Sequence, residues 1–159
     1  MKIHFHCLAA AVLLAALPLG AQAQKLSIFA DQNYQPVLEE IVGQFSDQTG
    51  FAVELSLGRS TILAERLRQG IPADVFFHAS EDQMRQVMEK GLVDVALKRN
   101  ILVLPPKEPG EDGVVPGPEY TSAAVLTAST NRLQAMAFLE FLSSEPARAA
   151  FTKNGFTPP

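Results

Sequence analysis

The 159-residue chain is poor in several things, and each shortage closes off a class of function. Its single cysteine, Cys7, falls in the first ten residues, inside a segment that reads as removable. No disulfide framework, thiol nucleophile or cysteine-based metal site is therefore expected. Histidine is scarce too, with three in all and only His78 beyond residue 6. Thirteen Lys+Arg stand against seventeen Asp+Glu, a net charge of −4, with no basic block. A nucleic-acid binder would show a clustered positive footprint, so none is expected. Eleven prolines and ten glycines are ordinary, which sets aside collagen-like and disordered classes. The motifs G-x-S-x-G, P-loop and H-E-x-x-H are all missing, so neither an enzyme nor a cofactor is expected.

What is present begins with an address. Lys2 gives a positive start, residues 7–17 are unbrokenly apolar, Pro18 and Gly20 interrupt the run, and Ala21-Gln22-Ala23 fits small-x-small cleavage. Residues 1–23 thus read as a secretory signal peptide. The apolar run falls short of the ~20 residues a spanning helix needs. The expected location is periplasmic, by export and cleavage, with no membrane span.

From residue 24 the pattern alternates. Strands are expected at 25–30, at 51–57 with alternating Phe51, Val53, Leu55 and Leu57, and at 73–77. Helices are expected at 34–49 with Asn33 as N-cap and Gly50 as stop, at 61–69, and after a capping box at 80–83. This order predicts an α/β fold, a mostly parallel sheet with right-handed crossovers and flanking helices. A further strand is expected at 101–104. Residues 105–118 then hold five prolines and three glycines and read as a connector. A strand at 123–126, a helix at 132–143 and a helix at 145–153 capped by Ser144 complete the chain.

In open parallel sheets ligands sit beyond the carboxyl ends of the strands. Three loops meet that description, starting at Asp31, Gly58 and His78. Asn33 offers amide donors, Ser60 a hydroxyl and Arg59 a full positive charge, beside helix N-termini that favour a small anion. The alternative is that each residue only caps its own helix. His78 with Glu81 and Asp82 gives a second, weaker metal-site candidate, since one nitrogen and carboxylates are a poor set for zinc.

At these residues the chain resembles the periplasmic molybdate-binding proteins of ABC importers. KLSIFADQN at 25–33 is similar to their K-x-x-V-F-A-A-A-S start, and VELSLGRS at 53–60 to their second strand and serine loop. IPADVF at 71–76 resembles G-A-P-A-D-V-F, and AAVL, AFLEFL, SEPAR and GFTP between 123 and 158 match their C-terminal stretch. The resemblance implies a type II periplasmic-binding-protein fold, normally of two lobes closing on a tetrahedral oxyanion held by neutral donors. It puts Ser60 on a ligand serine and Asn33 on the position of another, while Arg59 replaces a small residue.

The resemblance also implies a second lobe between Leu104 and Ser122, where only the connector stands. The expectation is therefore a single lobe, residues 24–104 and 119–159, with 105–118 replacing the second. The implied ligand is molybdate or tungstate, and the implied partner an ABC permease. Two other readings remain open: a one-lobed module binding a metal ion or a partner protein, or a remnant that binds nothing.

Overall fold

The computed structural model describes residues 25–78, 80–108 and 117–159. The expected signal peptide and most of the expected connector, 109–116, lie outside the described residues. Ten main elements run in the order β1 (Leu26–Asp31), α1 (Gln35–Thr49), β2 (Val53–Gly58), α2 (Ser60–Arg68), β3 (Val75–His78), α3 (Glu81–Glu89), β4 (Val93–Val103), β5 (Tyr120–Leu126), α4 (Arg132–Leu142) and α5 (Glu145–Lys153). One sheet carries all five strands in the order β2-β1-β3-β5-β4.

Alternation along each strand divides the apolar residues between two helical layers. Leu26, Ile28 and Ala30 of β1, Val75 and Phe77 of β3, and Ala123 and Val125 of β5 face α1, α4 and α5. Phe29, Phe76 and Ala124 face the other way, onto Leu63, Ala64 and Leu67 of α2 and Met84 and Val87 of α3. Helix α1 presents Val37, Leu38, Ile41 and Phe45, all fully or nearly fully buried, and stops where Gly50 turns left-handed at φ +74°. That conformation is one a Cβ disfavours.

The β1–β2 and β1–β3 ladders are parallel, as expected. Strand β5 is antiparallel to both β3 and β4, a direction the expected mostly parallel sheet left unspecified. The cause lies in the chain path. The Leu104 N–H donates to the Glu119 carbonyl at 2.8 Å, and the Lys107 ammonium pairs with Glu119. Strand β4 is thus followed directly by its own hydrogen-bonded neighbour, and such a return is antiparallel. Residues 105–108 and 117–119 carry neither helix nor strand.

At the amino edge of the sheet a buried carboxylate ties three segments together. Asp74, 4% exposed, accepts from Ser27 N (2.8 Å), Ser129 Oγ (2.7 Å), Asn131 N (3.3 Å) and Asn131 Nδ2 (3.0 Å). Every oxygen there is satisfied within the fold, which marks it as a structural node.

Several expected caps are built differently. Asn33 is not the cap of α1; it sits inside a 3-10 turn, Gln32–Tyr34, and Tyr34 holds the cap position. Asp31 caps that turn by accepting the Asn33 N–H at 3.0 Å. Ser80 and Ser144 stand at the cap positions of α3 and α5, yet neither side chain makes the capping bond.

Candidate functional site

Strands β1, β2 and β3 each run one residue beyond their expected ends. Asp31, Gly58 and His78 are therefore the last residues of their strands. Register then lines up a row across the carboxyl edge. Gly58 is the ladder partner of Asp31, His78 that of Ser122, and Ser122 that of Asn100. The β1–β3 register pairs Ala30 with Phe77, so the next position sets Asp31 beside His78. By alternation this row shares the face of Phe29 and Phe76, beneath the N-termini of α2 and α3.

A cavity of about 250 Å³ opens there, lined by Asp31, Gln32, Asn33, Arg59, Ser60, Thr61, Ser80 and Gln83. The fold thus brings Asn33, Arg59 and Ser60 to one hollow. Asn33 and Arg59 are exposed at its mouth, and Ser60 is buried at its base. Among the described residues Arg59 makes no ion pair.

The hollow already contains an anionic group. One Asp31 oxygen, Oδ2, accepts from the Ser60 backbone N–H at 2.9 Å and from the Ser60 hydroxyl at 2.6 Å. The other, Oδ1, accepts from Asn33 N. Asp31 is 4% exposed, and its carboxylate is held by residues 33 and 60, the two positions at which the resemblance implies ligand serines. Position 31 is alanine in the pattern K-x-x-V-F-A-A-A-S. The signal available in the sequence was an Asp two residues before a residue whose amide needs an acceptor, the usual Asx-turn arrangement.

His78 does not line the cavity; it is fully buried in the row beneath. Its Nδ1 accepts the Ser80 backbone N–H at 3.1 Å. That bond places the proton of the neutral ring on Nε2, and Nε2 is buried with no partner among the described residues. Burial depresses the His78 pKa to about 4, the nearby Lys98 charge acting in the same direction and Asp31 against it. A metal would need the lone pair of Nε2, which this tautomer lacks. Among the described residues no group of three or more His, Cys, Asp or Glu side chains converges in a way that could hold a metal ion.

The model of the family described as bacterial extracellular solute-binding protein matches residues 26–113 and 98–157. The chain belongs to that family. Among curated relatives, the molybdate-binding protein ModA of Escherichia coli (strain K12) is 30% identical over 82 residues, 52% of this chain. The matched segment is only 32% of that relative's length. Among solved structures, the periplasmic molybdate-binding protein of Azotobacter vinelandii superposes with a TM-score of 0.73 at 15% identity, covering 85% of this chain and 100% of that one. Iron-bound HitA of Pseudomonas aeruginosa gives 0.68 at 14% identity, covering 84% and 85%. At such identities the structural likeness establishes the fold, a periplasmic-binding-protein type of α/β sheet flanked by helices. No helix among the described residues is long and apolar enough to cross a membrane.

Proposed function

We propose that this chain is an exported, periplasmic solute-binding component of an ABC importer, not an enzyme. It takes a small tetrahedral oxyanion, molybdate or tungstate, at the seat of Asn33, Arg59 and Ser60. The observation that carries this reading is the arrangement around Asp31. Ser60 N, Ser60 Oγ and Asn33 N all donate to one carboxylate, at 2.6–3.0 Å. A donor array already wrapped around two anionic oxygens has the geometry to hold the oxygens of an oxyanion. The positive end of the α2 helix dipole favours the same charge, and Arg59 at the mouth supplies a full cation. The 30% identity to ModA over 82 residues supports the choice of ligand class.

On this reading residues 105–118 stand where a second lobe would supply the outer half of the site. An anion in a half-site keeps one face in water, and each charge-assisted bond it forgoes is worth about 1.5–3 kcal/mol. Binding in the millimolar range, about −4 kcal/mol, is the expectation. The test is thermal unfolding and isothermal titration of the chain with sodium molybdate and sodium tungstate, with sodium chloride as an ionic-strength control. Oxyanion should raise the melting temperature, and Ser60→Ala should remove most of the rise. An unchanged melting temperature of the wild type at tens of millimolar of either oxyanion would overturn the reading.

A further inference from the structure

Two observations at the carboxyl edge stand unexplained by oxyanion binding alone. The first is that the seat is filled from within. Asp31 is 4% exposed and its carboxylate takes the amide N–H and hydroxyl of Ser60 together with the Asn33 amide. Two anions cannot share those donors at contact distance without strong repulsion, so an oxyanion arriving at Ser60 requires the carboxylate to leave. A buried carboxylate that loses its donors needs another one, because burying an unpaired charge is costly.

The second observation supplies that donor. His78 is 0% exposed, its Nδ1 is engaged by the Ser80 amide, and its Nε2–H has no acceptor among the described residues. Orphaned donors this deep are uncommon in folded proteins and call for an explanation. His78 occupies the position beside Asp31 one step past the Ala30–Phe77 pair, on an adjacent strand. Adjacent strands lie about 4.8 Å apart, and residues level with each other in a ladder project to the same face.

We infer that Asp31 is an internal ligand of the seat, which an incoming oxyanion displaces from Ser60 and Asn33 onto the unpartnered Nε2–H of His78. The inference rests on the reading of this edge as the oxyanion seat, and it concerns how that seat is regulated. The free protein keeps its donors satisfied with its own carboxylate. The bound protein satisfies the same carboxylate with the histidine, so that neither state leaves Asp31 unpaired.

The experiment is titration of the full chain with sodium molybdate, comparing wild type, Asp31→Ala and Asp31→Asn by calorimetry. The His78 imidazole is followed by nitrogen-15 NMR. Asp31→Asn retains an oxygen that can accept from Ser60 and guards against a variant that fails to fold. Both variants should bind molybdate at least tenfold more tightly than wild type. The His78 Nε2–H signal of the wild type should move on titration, and that of Asp31→Ala should stay still. Variants that bind no better than wild type would overturn the inference while leaving the oxyanion reading intact. Tighter binding with an unmoved wild-type histidine signal would overturn the transfer to His78. A silent wild type with responsive variants would support the internal ligand and defeat the proposed function of the intact chain. Silence in all three proteins would overturn both.

Discussion

The buried imidazole of His78 should leave a distinct mark on stability as pH falls. In the folded chain burial holds its pKa down at about 4, against the 6.5 ordinary for histidine. The unfolded chain therefore takes up a proton at pH values where the folded chain does not, and stability rises with pH across that window. Between about pH 7.5 and pH 5 the linkage relation gives a loss of about 2 kcal/mol from this one group, approaching about 3 kcal/mol once the pH reaches 4. Carboxylates contribute little above pH 5, since their unperturbed values lie near 4. The assay is urea unfolding followed by far-ultraviolet circular dichroism at several pH values between 7.5 and 5, on wild type and His78→Gln. The slope of stability against pH is the readout, so the variant's absolute stability does not enter. Wild type should lose about 2 kcal/mol across the window, and the variant should lose that much less. Parallel curves would refute the reasoning, because they would mean that the folded chain protonates His78 as readily as the unfolded one.

Two further substitutions test the packing that positions the site. Tyr34→Phe removes the hydroxyl bonded to Thr121 Oγ1 at 2.8 Å, while the ring keeps its edge contact with Phe77. It strands a fully buried Thr121 hydroxyl and should cost about 1–2 kcal/mol in urea unfolding; no loss at all would contradict the buried bond. Asp74→Ala takes the acceptor from Ser27, Ser129 and Asn131 together. It should lower stability by at least about 3 kcal/mol, seen as a lower urea midpoint at constant slope; a loss below 1 kcal/mol would show that water reaches those donors.

How much of this was legible depended on whether a local pattern carried it. Helix α5 follows its expected span, residues 145–153, and α1 begins one residue later than expected, because apolar spacing and a terminal glycine or Asn-Gly fix such segments locally. Strand β4 was legible only at its last residues. Its first half borders a single neighbour and exposes Val95, Ala96 and Arg99, so no buried face imposed alternation. Register also slips between Asn100 and Leu102, a bulge that sends the adjacent Ile101 and Leu102 into the same core. Bulges of that kind erase the period on which a sequence reading depends. The reversed direction of β5 had no local signal, since it follows from which strand the chain returns to pair with.

The meeting of Asn33, Arg59 and Ser60 was legible, and what fills the hollow between them was not. Asn33, Arg59 and Ser60 do meet at one cavity, because strand ends and helix starts put them there. What occupies the donors is a tertiary fact, since Asp31 and Ser60 are 29 residues apart. A tethered carboxylate competes with any free anion from a high effective concentration, so an external ligand prevails only by making a contact that Asp31 does not. On the proposed reading Arg59 is that contact. It lines the same cavity and has no ion-pair partner among the described residues. An oxyanion has oxygens on several sides and can engage Ser60 and the Arg59 guanidinium together, whereas both oxygens of Asp31 are committed to Ser60 and Asn33. On the proposed reading, then, the seat favours a multi-oxygen dianion over chloride or a monocarboxylate even without a closing lobe, and the selectivity comes from the pairing of an internal carboxylate with an uncommitted arginine.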